Sequence, residues 1–348
     1  MKICYLSPIS YPSRFANRVQ VMKMAEAFSR ELSFTLVLDS FPKDPKGMWT
    51  SYHVTHPFTV RAIGRAHVWP RSLGFVLRAR RIVNEADDET IFYVRDILTA
   101  LLLSVLSRKF KQRFVFELHT LTRFPMWVYR ALLGRAKLII TTNQAKEADM
   151  LAMGIPRGSI VVAPNGVDLA EIEALPKQEE AKHLLGWPPK GPILAYVGRV
   201  EESYGSAVLE ALPSLLGPIC RVEVVTNRPR EEAILALSAA DILIAPYRGE
   251  REHMQKYMSP MKVREYLAAG KPIIVSDLPA IRETVSEGEA MFMRAGDAED
   301  AARCARAILD DKELALRLAS AARAKAASLS WEGRSALIIK HIRDKFTA

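Results

Sequence analysis

An α/β protein of two doubly wound, Rossmann-like domains with a cleft between them is what this sequence predicts. Short apolar runs alternate with amphipathic helical patterns, as β-α-β units around parallel sheets require. The alternation stops after Asp168, crosses a polar, proline-bearing stretch, and starts again. At 348 residues the chain also exceeds one ordinary core and suits two domains of roughly 100 to 200 residues.

In chain order, the first alternation places strands at "KICYLS", "FTLVLDS", "TIFYVR", "RFVFELH", "KLIITTN" and "IVVAPN". Helical patterns such as "NRVQVMKMAEAFSREL" and "ILTALLLSVLSRKF" separate them. The break, "LAEIEALPKQEEAKHLLGWPPKG", contains a helix that must end before Pro188 and Pro189. A second set of strands follows at "PILAYVGRV", "RVEVVTN", "DILIAPY", "KPIIVSD" and "EAMFMRAG", and a helical tail runs from Asp300. The expected division is a first domain at 1–168, a linker at 169–190, a second domain at 191–329 and a terminal helix at 330–348. In such sheets ligands bind outside the carboxyl ends of the strands, often at helix N-termini.

Composition narrows the class. At 49% apolar and 25% charged the chain has the make-up of a soluble globular protein. No run of eighteen apolar residues suggests a membrane span, and no secretory leader precedes "KICYLS", so a cytoplasmic protein is expected. Cys4, Cys220 and Cys304 lie far apart in apolar surroundings and read as core residues, with neither disulfide nor zinc spacing. The net charge of +10 is unevenly divided: residues 1–170 hold 24 Lys and Arg against 13 Asp and Glu, and residues 171–348 hold 25 against 26. Much of the surplus falls in "RAIGRAHVWPRSLGFVLRARR" and "SRKFKQR", where cations alternate with Trp69, Phe75 and Phe110. Such a surface suits anionic lipid headgroups or, less specifically, nucleic acid; it also suits a plain solvated face.

The stretch "YMSPMKVREYLAAGKPIIVSD" carries the most chemistry. Ser259 can cap a helix and Pro260 fits its first turn, which leaves free N–H groups around Met261 and Lys262 to meet a phosphate oxygen. Glu265, one turn later, can accept two ribose hydroxyls, or can simply favour the positive end of the helix. Gly270 ends the helix and Pro272 prevents its continuation. A nicotinamide dehydrogenase is disfavoured because no G-x-G-x-x-G follows the first strand. A P-loop NTPase is disfavoured because "AAGKP" lacks both the glycine spacing and the Ser or Thr.

Six pieces in order, "ANRVQVMKMAEAF", "FELH", "PNGVD", "YVGRV", "AADILIAPY" and "SPMKVREYLAAGKPIIVSDLPAIRETV", resemble the retaining, GT-B-fold sugar-nucleotide glycosyltransferases of family 4. The final "LSWEGRSALIIKHIRDKF" is similar to that family's tail helix, which returns to the first domain. The resemblance implies that Glu265 holds the nucleotide ribose and that Arg199, after Gly198, neutralises the donor diphosphate. It implies that His119 lies beside the transferred sugar and acceptor. Asn165, Gly166 and Asp168 match the loop at the domain boundary, and Ala16, Asn17 and Arg18 match a small-residue loop near donor and acceptor. The implied partners are a nucleotide diphosphate sugar and a glycan or lipid-linked acceptor. A peripheral position on the inner face of an anionic membrane is expected, and nucleic acid is not. No Asp-x-Asp triplet occurs, so neither a bridging metal nor a cofactor is expected. On sequence alone His119 would equally be a core histidine, Arg199 a surface arginine, and Asn165-Gly166 a turn.

There are departures. Tyr257 stands where the family's first motif glutamate belongs, and Tyr204 stands where a lysine normally precedes the glycine. Lys262, Arg248 or Arg251 are the residues that could supply the missing cation. Ala16-Asn17 replaces a glycine pair, and one strand-helix unit is missing between "YVGRV" and "AADILIAPY". These departures leave a second function open: a non-catalytic or regulatory homologue that binds a nucleotide sugar or a partner glycosyltransferase.

Overall fold

The computed structural model describes residues 1–13, 16–64 and 71–346, with the backbone alone at 16, 71 and 72. The chain divides into two compact units, Met1–Pro164 with Trp331–Ala348, and Asn165–Ser330. No helix among the described residues is long and apolar enough to cross a membrane.

The first unit is built on a seven-stranded sheet. Its strands are β1 (Lys2–Ser10), β2 (Ser33–Ser40), β3 (Thr59–Ala62), β4 (Thr90–Val94), β5 (Phe114–Leu118), β6 (Leu138–Thr141) and β7 (Ile160–Val162). The order is β3-β2-β1-β4-β5-β6-β7, every pair is parallel, and the order reverses between β1 and β4. β4, β5 and β6 are buried along their whole length, which is why they read as unbroken apolar runs. β3 was not expected. It is an edge strand with mostly exposed side chains, so its sequence, "TVRA", carries no apolar period. It shifts "FELH" from the fourth strand to the fifth. The tail helix Trp331–Phe346 packs against the helix Ala16–Glu31 in this unit.

The second unit holds five parallel strands: β8 (Ile193–Val197), β9 (Arg221–Val225), β10 (Ile242–Ala245), β11 (Ile273–Ser276) and β12 (Met291–Met293). Their order is β12-β11-β10-β8-β9, with the reversal between β8 and β10. Only β9 lies between β8 and β10 in the described chain. The stretch 169–190 carries two short helices, Leu169–Glu173 and Gln178–Leu184, and belongs to this unit. All three cysteines are buried thiols. The expected basic, aromatic surface is corrected in part: Phe75 and Phe110 are fully buried core residues, and Trp69 lies outside the described residues.

Candidate functional site

In the second unit, the loops after β8 and β10 flank the reversal point, where a doubly wound sheet opens a crevice. Gly198, at φ +143°, leads from β8 into Arg199. Gly205, at φ +84°, starts the helix Ser206–Leu216, and a Cβ there would lie 1.9 Å from the Pro246 carbonyl oxygen. The two loops therefore touch backbone to backbone at a position only glycine can occupy. The Tyr204 and Tyr247 rings meet across the same junction, 5.6 Å apart.

The helix Met261–Ala269 is fastened beside this crevice. Its Tyr266 hydroxyl accepts from the Val197 N–H at 2.8 Å and donates to the Val197 carbonyl at 3.2 Å. Arg264, buried, donates to the Pro260 carbonyl at 3.1 Å. One expectation is corrected here: Ser259 does not cap the helix. Pro260 occupies the cap position, and no side chain among the described residues caps the first turn. Ser259 instead holds Asn165, whose backbone N–H donates to its hydroxyl at 3.5 Å and whose side-chain amide donates to its carbonyl at 3.1 Å. Tyr257 ends a π-helical turn, is buried, and donates to Glu252 at 3.4 Å.

Glu265 is not alone. Its Oε1 accepts from Arg230 at 3.1 Å, and Arg230 also donates to Glu171 Oε1 at 2.8 Å. Burial alone would lower the Arg230 guanidinium, but Glu265 and Glu171 outweigh it and hold its pKa above the ordinary value. Glu265 Oε2 has no hydrogen-bond partner among the described residues, so one carboxylate oxygen is anchored and the other is available. Arg199 is about half exposed and pairs with Glu201 at 3.0 Å. Arg248 is engaged by Glu202 at 3.0 Å and by Glu250, and Arg251 is exposed. Lys262 Nζ is buried without a hydrogen-bond partner among the described residues.

In the first unit, His119 follows β5 and belongs to a buried network. Its Nε2 lies 2.9 Å from Glu117 Oε1. Glu117 also accepts from Gln20 at 2.9 Å, from the Tyr93 hydroxyl at 2.6 Å and from Arg334 of the tail helix at 2.6 Å. Burial would raise the Glu117 carboxyl, but Arg334, then His119 and Arg95, hold it well below the usual range. Burial, helped by Arg95, pushes the His119 imidazole down to about 4, so near neutral pH it is uncharged. A neutral ring donating from Nε2 to a carboxylate presents an acceptor at Nδ1. At the start of the helix Ala16–Glu31, the Asn17 carbonyl accepts from Arg95 at 3.2 Å and the Arg18 carbonyl accepts from Tyr11 at 2.9 Å. Gly166, with Val167, lies at the buried start of the second unit.

Residues 18–171 match the family described as Glycosyltransferase Family 4, and residues 194–311 match Glycosyl transferases group 1. The chain belongs to the family 4-like glycosyltransferases. This glycosyltransferase relative has the GT-B fold of two Rossmann-like sheets. It is similar to a sucrose-phosphate synthase from Thermosynechococcus elongatus, at TM-score 0.75 and 18% identity over 99% of each chain. It is likewise similar to Anabaena HepE in complex with UDP, at TM-score 0.77 and 15% identity over 99% of this chain and 100% of that one. Among curated proteins it is 27% identical over 239 residues to a phosphatidyl-myo-inositol mannosyltransferase of Mycolicibacterium smegmatis, covering 61% of this chain and 57% of that protein. A D-inositol 3-phosphate glycosyltransferase of Nocardia farcinica is 26% identical over 55% of this chain and 49% of that protein. The chain thus spans about half the length of the curated relatives it matches.

Arg230, Glu171, Glu117, Gln20, Tyr93 and Arg334 belong to these networks, although no motif of the sequence points to them as site residues. Two of them carried a local signal. Glu117 interrupts the apolar "RFVFEL", and Arg334 shares an i, i+4 stripe with Ile338, so each was a buried charge in need of a partner.

Proposed function

We propose that this family member transfers a sugar from a nucleotide diphosphate donor to a glycan or lipid-linked acceptor, with retention of anomeric configuration and without a metal. The observation that carries the reading is the packing of the Gly198–Arg199 loop against the Met261–Ala269 helix at the reversal point of the second sheet. Cleavage of a sugar-phosphate bond develops negative charge on the leaving diphosphate, and a pre-placed cation with uncapped helix N–H groups stabilises it. Arg199 supplies a cation at the end of β8, and Glu265 Oε2 is available to ribose hydroxyls while Arg230 fixes its other oxygen. The UDP and UDP-glucose complexes of Anabaena HepE support a nucleotide sugar as donor. His119, neutral and oriented by Glu117, suits contact with sugar hydroxyls in the first unit.

We place the protein in the cytoplasm and on an anionic membrane surface, where a lipid-linked acceptor would be met. Trp127, 71% exposed, and Met126, 48% exposed, stand between the exposed Arg123 and Arg130, the pairing of apolar wedge and cations that lipid docking needs. By contrast Arg78, Arg81 and Lys109 have acidic partners of their own in Asp39, Glu85 and Asp88.

The test is a thermal-shift and hydrolysis screen of nucleotide diphosphate sugars on the purified chain. One donor should stabilise it by about 2.7 kcal/mol at a hundred times its Kd. Glu265→Ala should weaken that donor roughly a hundredfold, since two charge-assisted bonds are worth about 3 kcal/mol. Binding without hydrolysis or transfer to any acceptor would favour the regulatory alternative, and no binding of any donor would refute the transferase reading. Sedimentation with anionic and neutral vesicles, with Trp127→Ser as control, tests the membrane arm.

A further inference from the structure

A cavity of about 330 Å³ lies in the second unit between the helices Leu169–Glu173 and Met261–Ala269 and the last turn of Lys312–Ala326. Lys271 lines it just before β11 begins, so it opens at the amino ends of the strands. The crevice of a doubly wound sheet is at the other end.

Three cations line this cavity, Lys177, Lys271 and Arg323, against one carboxylate, Glu173. None of these four side chains makes a hydrogen bond or an ion pair among the described residues. Burial lowers the Lys271 ammonium, Asp241 opposes that, and Lys182 and Arg323 add to it. Asp241 is already engaged: it accepts from Lys182 at 3.0 Å, from Gln178 at 2.9 Å and from the Ile193 N–H at 2.9 Å. Arg323 lies against the end of the helix Met261–Ala269, where a Cβ on Gly270 would stand 2.6 Å from its Nε. One cation there answers the negative end of that helix. Lys271 and Lys177 exceed that need, and like charges on one wall repel each other until an anion joins them.

The lining also describes its ligand. A wall with two more positive charges than negative suits a phosphate, held by charge-assisted bonds. Glu173 can accept from hydroxyls, and Ile172 and Leu175 offer an apolar face to the C–H side of a ring. The volume stands at the small end of ligand pockets, which run from about 300 to 1,000 Å³, and so suits one sugar ring and not a nucleotide sugar. The same walls lead to the candidate site. Glu171, on the five-residue helix that presents Ile172 and Glu173, accepts from Arg230 at 2.8 Å, and Arg230 donates to Glu265 at 3.1 Å. Glu265 is only about 6 Å along the helix axis from Ala269 at the cavity.

We infer that this cavity is an effector site for a small phosphorylated sugar, with the phosphate held by Lys271 and Arg323 and occupancy felt by the nucleotide through Glu171, Arg230 and Glu265. The regulatory half of the inference rests on the donor reading proposed above, and the binding half stands without it.

The experiment is titration calorimetry of the full chain with glucose 6-phosphate, inorganic phosphate and glucose near neutral pH. Glucose 6-phosphate should bind with a Kd of about 1 mM or tighter, inorganic phosphate at least about tenfold more weakly, and glucose not measurably. Lys271→Gln combined with Arg323→Gln should weaken glucose 6-phosphate by roughly a hundredfold while leaving the thermal midpoint and the affinity for UDP alone as in wild type. Should that variant not fold, Lys177→Gln, at an exposed residue, is expected to weaken glucose 6-phosphate by about fivefold. Saturating glucose 6-phosphate should change the affinity of the wild type for UDP, or for whichever nucleotide diphosphate it binds, by at least about fivefold, and should not do so in the variant. No binding of glucose 6-phosphate, equal binding by wild type and variant, equal affinity for free phosphate, or an unchanged nucleotide affinity with the cavity filled would overturn the inference while leaving the donor reading standing. A wild type that binds glucose 6-phosphate but no nucleotide would overturn the donor reading and the regulatory half with it, and the variants would still decide the binding half.

Discussion

Replacing Arg334 by Met would break the pair on which the first unit's buried charge depends. Arg334 Nη2 lies 2.6 Å from Glu117 Oε1, with the two side chains 2% and 0% exposed. Loss of one member of such a pair costs about 3 to 5 kcal/mol, because the remaining charge stays buried. Gln20, Tyr93 and His119 still donate to Glu117, which favours the low end, about 3 kcal/mol. The Arg334 Nε bond to the Ala163 carbonyl, 3.0 Å, adds about 1 kcal/mol. A total near 4 kcal/mol, divided by a urea slope of about 2 to 3 kcal/mol per molar, moves the unfolding midpoint by roughly 1.5 M. Tryptophan emission at pH 7 would follow it, since Trp331 is buried three residues away. Adding Glu117→Gln should recover most of the loss, because it removes the charge that was stranded. The imidazole supplies a second readout: Arg334 helps hold His119 down, so in the single variant its NMR titration should move up from about 4. A midpoint shift below about 0.3 M together with an unmoved imidazole would refute the reasoning.

Acid should act through the same histidine. His119 titrates at about 4 when folded and near 6.5 when unfolded, so between these values the unfolded chain binds more protons. The contribution is fully present above pH 6.5 and should decline by about 1.4 kcal/mol per pH unit down to about pH 4, a slope that His119→Phe should flatten in urea titrations. Gly205→Ala places a methyl 1.9 Å from the Pro246 carbonyl oxygen at a φ of +84°. Strain of at least about 2 kcal/mol should lower the thermal midpoint by several degrees and weaken nucleotide binding; an unchanged midpoint would show that the loops are not locked there.

What could be read from the sequence depended on the distance over which each interaction acts. Strands such as "FVFEL" and "ILAYV" are buried on both faces, and local hydrophobicity reveals them. β3 could not be found that way, because an exposed edge strand is specified by the neighbour it pairs with. The same limit governs the site. Glu265 and Lys262 lie within one legible helical motif, yet Arg230 approaches Glu265 from 35 residues away and Arg334 approaches Glu117 from 217 away. Side chains at such separations leave only half a signal each, a charge where the period demands an apolar residue. The Ser259 cap failed for the same reason: its hydroxyl is taken by Asn165, 94 residues away, so a correct residue in the correct place had other work.

The position of Arg334 also has a consequence for how the protein is made. The second unit is inserted between β7 and the tail helix, so the ribosome completes all of it before the first unit receives its last element. Until residue 334 emerges, Glu117 has every partner in its network except the strongest, and the sheet of the first unit must carry an anion that is not yet balanced. A nascent or prematurely terminated chain is thereby kept short of its full stability, and a chain that carries both halves of the ion pair is distinguished from one that does not.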